Sequence, residues 1–106
     1  MSNAFRRFEV LLPLQFNDGK PVPAELLAQT FDELRMRFDA VSAETQTIKG
    51  SWQHQGEQFT DELVRFFVDV ADTPEHIEFF RQFKEALKER FGQLDIWLTT
   101  YPIEVI

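Results

Sequence analysis

Cysteine is absent from all 106 residues, which excludes a disulfide framework, thiolate chemistry and a zinc ribbon. Histidine occurs only at His54 and His76, too few for an imidazole-rich metal centre. Four glycines are scattered along the chain, so no glycine-rich phosphate cradle can form. Gly19-Lys20 lacks the further glycines and the hydroxyl residue after lysine that such a loop uses, and Pro21 and Pro23 remove two backbone donors there. It reads as a turn.

Basic residues are also scarce. Lys and Arg total 11 against 18 Asp and Glu, and the imbalance is concentrated in the second half. Residues 1–53 carry 7 acids and 6 bases, residues 54–106 carry 11 and 5. An acidic surface repels phosphate, which argues against a nucleic-acid partner. No apolar run approaches the roughly 18 residues that a membrane span requires. The segment Met1 to Arg7 holds two arginines but leads into an alternating stretch, not the continuous apolar region of an export signal. The expectation is a cytoplasmic protein, with no membrane partner, resident metal, nucleotide or other cofactor.

What is present is pattern. Phe8, Val10, Leu12, Leu14 and Phe16 occupy alternate positions and predict a first strand over Phe8 to Phe16, with a bulge, a strand end or an unpaired side required at Pro13. Leu27, Phe31, Leu34 and Phe38 follow at helical spacing, and this helix is expected to end near Asp39. A weaker strand from Glu44 to Gln53 reads as an edge, and a hairpin around Gly56 leads into a strand over Phe59 to Val70, apolar on both faces. Asp72 or Thr73 can cap a second helix, Pro74 suits its first turn, and Phe80, Phe83, Leu87 and Phe91 form its stripe before Gly92 stops it. A last strand is predicted over Leu94 to Thr100 with Leu94, Ile96 and Leu98 inward, broken by Tyr101-Pro102 and followed by an apolar tail, Ile103 to Ile106.

Two similar strand-helix-strand passes therefore make up the chain, read as a single domain over residues 1–106. The order βαββαβ predicts an α+β, ferredoxin-like fold, a four-stranded antiparallel sheet with both helices on one face and strands one and three in the centre. Most of the 12 phenylalanines fall on inward positions and are assigned to the core.

The helix-free face is where work is expected. Alternation places Leu11, Pro13, Leu63, Arg65, Phe67, Trp97 and Thr99 on it. That is more apolar surface than a monomer usually leaves wet, since patches beyond a few hundred Å² tend to mark an interface. A homo-oligomer follows, a dimer in the simplest case. A small apolar ligand enclosed between subunits, or a different protein partner, are the alternatives. Polar candidates are His54, Glu57, Asp61 and Glu62 around the hairpin, His76 in the first turn of helix two, and Tyr101. None has the convergent spacing of a metal or acid–base site, so no catalytic residue is assigned.

Gly50-Ser51-Trp52, then Gly56, the acidic and apolar strand from Asp61, and Lys88-Glu89-Arg90-Phe91-Gly92-Gln93 resemble a family of small bacterial proteins known as a domain of unknown function, over residues 37–106. The resemblance implies the same βαββαβ fold and lends no activity or site residue. Some members of that family are exported, which this chain's first residues do not suggest. The functional expectation is a non-catalytic interaction or regulatory module. The alternative is a small enzyme or binder of the dimeric α/β-barrel kind, with His54, His76, Arg65 or Tyr101 supplying the polar group in an apolar cavity.

Overall fold

The computed structural model describes residues 4–106. In chain order its elements are β1 (Phe5–Pro13), α1 (Ala24–Phe38), β2 (Ser42–His54), β3 (Glu57–Ala71), α2 (Pro74–Arg90) and β4 (Leu98–Ile103). The strands form a four-stranded antiparallel sheet in the order β2-β3-β1-β4. This is the ferredoxin-like arrangement expected, with β1 and β3 central. Met1 to Asn3 of the amino-terminal segment lie outside the described residues, while Phe5 to Arg7 belong to β1. No helix among the described residues is long and apolar enough to cross a membrane.

Alternation sorts the side chains as the pleat requires. Phe8, Val10 and Leu12 of β1 and Phe66, Val68 and Val70 of β3 are buried beneath Leu34 of α1 and Phe80, Phe83 and Leu87 of α2. Phe8 stacks on Phe80 with ring centroids 4.1 Å apart, and Phe31 meets Phe66 edge-on at 5.5 Å. Burying each such side chain contributes about 1.5–3 kcal/mol, so this layer holds the helices to the sheet.

The helix ends differ. The Thr73 hydroxyl accepts from the His76 N–H, and Pro74 occupies the first turn of α2, where its missing donor costs nothing. α1 starts behind Pro23 with no side-chain cap and stops at Asp39 in the left-handed region, φ 64°. A polar clamp joins the two helices: Arg90 donates to the buried Thr30 hydroxyl and to Glu33, both at 2.8 Å.

Two strand boundaries depart from expectation. β1 ends at Pro13, not Phe16: Leu14 donates to Glu62 and accepts from Val22, and Gln15 bridges Pro21, so the chain folds back on itself instead of extending. The last strand runs from Leu98 to Ile103, not from Leu94 to Thr100. After Gly92, at φ 61°, the chain remains irregular through Trp97; Ile96 drops into the core at 2% exposure while Leu94 stays 59% exposed. Tyr101-Pro102 does not break the strand but pairs with Arg7 and Arg6. β4 lies at a sheet edge, where proline's missing donor can face solvent. Ile103 of the supposed tail is a strand residue opposite Phe5.

β2 and β3 turn through Gln55-Gly56, with φ of 52° and 80°, the paired positive values of a tight two-residue hairpin. β1 pairs with β3 only from Leu63 onward. The hairpin arm from Lys49 to Glu62 therefore extends past the end of the central strand, and this overhang shapes the site.

Candidate functional site

Leu11 and Pro13 of β1 and Leu63 of β3 are neighbours on the helix-free face, with Pro13 opposite Leu63. Gly50, diagonal to Leu63 on β2, leaves room: a Cβ there would lie 3.3 Å from a Leu63 methyl, tighter than most side-chain contacts. One step along the arm, Trp52 stacks on its cross-strand partner Phe59 with centroids 4.5 Å apart, and its indole N–H donates to Asp61. On the opposite side the Leu11 N–H donates to the Trp97 carbonyl at 3.0 Å, pinning the residue just before β4 to the sheet while its side chain remains 65% exposed. Between the overhanging arm and this segment lies an open groove of about 340 Å³. Leu11, Pro13, Leu63 and Ile96 form its apolar lining, Trp52 and Trp97 add the indoles, and Gly50, Ser51, Asp61, Gln93 and Asp95 complete it.

The other end of the same face is closed by charge pairs. Arg7 donates twice to Asp69, at 2.7 and 2.9 Å, and its guanidinium lies 4.5 Å above the Phe67 ring. The Asp69 hydrogen bond, followed by its charge, pushes the Arg7 pKa further above its already high value. Arg65 donates to Glu44 at 3.0 Å with Glu9 4.0 Å from its Nε, which is buried without a hydrogen-bond partner. The Tyr101 hydroxyl donates to Glu9 at 2.8 Å, and that bond raises the phenol pKa.

The residues expected on the helix-free face are thus divided. Leu11, Pro13, Leu63 and Trp97 meet at the groove; Arg65 and Phe67 lie at the charged end, Phe67 covered by its own chain's Arg7. Of the polar candidates, only Asp61 reaches the groove. His54 and Glu57 face each other across the hairpin end, both exposed, and Glu62 is exposed further along β3, opposite Lys49. His76 sits at the start of α2, where its Nδ1 donates to the Ala71 carbonyl at 2.7 Å and its ring abuts Phe38. Among the described residues no group of three or more His, Asp or Glu side chains is placed to hold a metal ion. Gly50, Ser51, Trp52, Gln93, Asp95 and Ile96 line the groove without having been site candidates from sequence. For Trp52 the signal was its shared parity with Ile48 and Gly50. Asp95 carries a carboxyl held below its usual range, first by a hydrogen bond from Lys84 at 3.0 Å.

The architecture defines a ferredoxin-like α+β protein with an open groove at one end of its helix-free face. No family model matches the chain, and no curated protein does. Solved structures do. A phage S-adenosylmethionine lyase in complex with S-methyl-5'-thioadenosine superposes with a TM-score of 0.67 at 16% identity, covering 99% of this chain and 92% of that one. The divalent cation tolerance protein CutA1 of Thermus thermophilus gives 0.64 at 16% identity, over 95% and 85%. GlnK of B. subtilis, solved with ATP, gives 0.60 at 14% identity, over 97% and 84%. At these identities the likeness shows the shared βαββαβ fold.

Proposed function

We propose that the protein is a homo-oligomeric binding module without chemistry of its own, whose working surface is the groove end of the helix-free face. The observation that carries this reading is Trp97, two-thirds exposed beside Leu11, Pro13 and Leu63 on a sheet face that no helix covers. A second copy laid over this end would bury the indole and roof the groove, which is why a dimer is the simplest assembly. The absence of lysine and arginine from the groove lining supports the expectation that nucleic acid is not the partner.

A second reading, a small-molecule binder or enzyme with its cavity between paired sheets, is favoured by the groove volume of about 340 Å³, within the range of small-ligand pockets. Two of the compared structures hold adenosine compounds, so an adenosine ligand belongs to this reading too. His54, His76 and Tyr101 are engaged or exposed away from the groove, which leaves no general base in it apart from carboxylates and favours binding over catalysis.

Light scattering at micromolar concentration tests the assembly, with at least a dimer expected. A clean monomer would sink the homo-oligomer. Trp97→Asp should shift the oligomer toward monomer with an unchanged circular dichroism spectrum.

A further inference from the structure

The groove combines two features that ask for one class of ligand. Its walls are apolar and aromatic, with Trp52 and Trp97 on one cavity and one face of Trp52 taken by Phe59. Its charge is negative only: Asp61 and Asp95 line it and no basic side chain does. Asp95 is answered by Lys84. Asp61 has no Lys or Arg within ion-pair distance among the described residues, and the Trp52 N–H engages just one of its oxygens, Oδ2. A half-buried carboxylate held by one indole, in a groove that a second indole also lines, therefore stands without a cationic partner in a largely apolar setting.

We infer that this groove accepts an organic cation of the alkylammonium class, with the positive centre near Asp61 and its alkyl groups against Trp52 and Trp97. The inference rests on the reading of the helix-free face as the binding surface. Three classes of occupant can be compared on physical grounds. A neutral apolar molecule satisfies the walls but leaves the Asp61 charge desolvated and unmatched, which is costly. A hard metal ion needs several oxygen ligands around it, whereas the second carboxylate of the groove, Asp95, is already paired with Lys84 and no third carboxylate joins them among the described residues. A quaternary ammonium spreads one positive charge over methyl groups, sheds water readily, and is attracted to the indole faces as well as to the carboxylate. The protein's net charge of −7 draws cations toward the surface before contact.

The test pairs choline with 3,3-dimethylbutan-1-ol, which replaces the charged nitrogen by carbon and keeps the shape. The chain has two tryptophans, so the two indole N–H signals in a nitrogen-edited NMR spectrum report on the groove directly, and Trp97→Phe assigns them. Choline should shift both signals saturably in the millimolar range, with the neutral isostere weaker by about tenfold. Asp61→Asn should weaken choline by about tenfold and leave the isostere unchanged. Equal binding of the two probes to the wild-type protein, or no saturable shift with choline, overturns the inference, and neither result depends on the Asn variant folding. Light scattering on the same samples keeps the two readings apart. A monomer that binds choline removes the assembly and keeps the cation site, whereas an oligomer blind to choline removes the cation site alone.

Discussion

The two ends of the helix-free face are built by the same central strands in the same alternation, yet they differ in kind. At one end Arg7, Asp69, Glu9, Arg65, Glu44 and Tyr101 bind one another across three strand pairings, and Arg7 covers Phe67. At the other Leu11, Pro13 and Leu63 lie beneath two tryptophans with no charge pair across them. The strands lose their partners unevenly: β1 stops at Pro13 while β2 and β3 continue as an arm. Where the sheet is complete, cross-strand pairs can satisfy the surface. Where it is ragged, the missing strand leaves a hollow. A face of uniform alternation is therefore not a uniform interface.

Both ends depend on the register of β3, and the largest expected effect tests it. Phe66 faces the helices at 6% exposure, packed edge-on against Phe31. Phe66→Ala should cost about 3–5 kcal/mol, the range for deleting a buried phenyl ring, as read by urea denaturation. Phe67→Ala, on the opposite face, should cost much less. The reverse order of the two would mean that the register is displaced by one residue, which flips every side chain.

Next comes the assembly. Trp97→Asp at the groove end should weaken association by about tenfold or more, as central aromatic residues do at interfaces, and leave the stability of the subunit nearly unchanged because the side chain is 65% exposed. Arg7→Ala at the paired end should leave association as it was. If light scattering shows instead that Arg7→Ala dissociates the protein and Trp97→Asp does not, the two ends exchange roles.

Arg7→Ala should still be felt in stability. It removes an exposed bidentate pair with Asp69 and a guanidinium resting on Phe67, together about 1 kcal/mol. Half a molar salt should narrow the difference between variant and wild type, since exposed pairs are screened. A difference that salt does not touch would assign the loss to packing on Phe67.

Much of this was legible in the chain. Periodicity located both helices, the four strands, the central pair and the buried parity of β1 and β3, because those patterns extend over many residues and each one has a single way to bury its apolar side. The end of the chain was misread for a physical reason: Leu94, Ile96 and Leu98 alternate like a strand, but only Ile96 and Leu98 contact the core, and a loop can bury one isoleucine without pairing its backbone. The groove was legible in part. Leu11, Pro13, Leu63 and Trp97 follow from alternation, whereas Trp52 and Asp61 meet only through the cross-strand diagonal of the hairpin. The sealing of Phe67 by Arg7 and the Arg90 clamp on Thr30 and Glu33 are long-range pairings, which no local pattern announces.

The smallest effect concerns the wall of the groove. Lys84 on α2 holds Asp95 at 3.0 Å and keeps its carboxyl below the usual aspartate range. A group whose folded-state pKa is depressed adds stability above its unfolded pKa and loses it as pH falls through the folded value. The pair should therefore contribute fully at neutral pH and fade below about pH 4, where an unperturbed aspartate begins to protonate. Both side chains are substantially exposed, Asp95 at 59%, so the contribution is only a few tenths of a kcal/mol. Lys84→Met should lower stability by that amount at pH 7 and by progressively less as acid is added, with the urea midpoints of variant and wild type converging. It should also strengthen choline binding, because removing the lysine leaves Asp95 as a second uncompensated carboxylate in the groove. A Lys84→Met protein with unchanged choline affinity would place the bound cation at Asp61 alone, away from the Trp97 side.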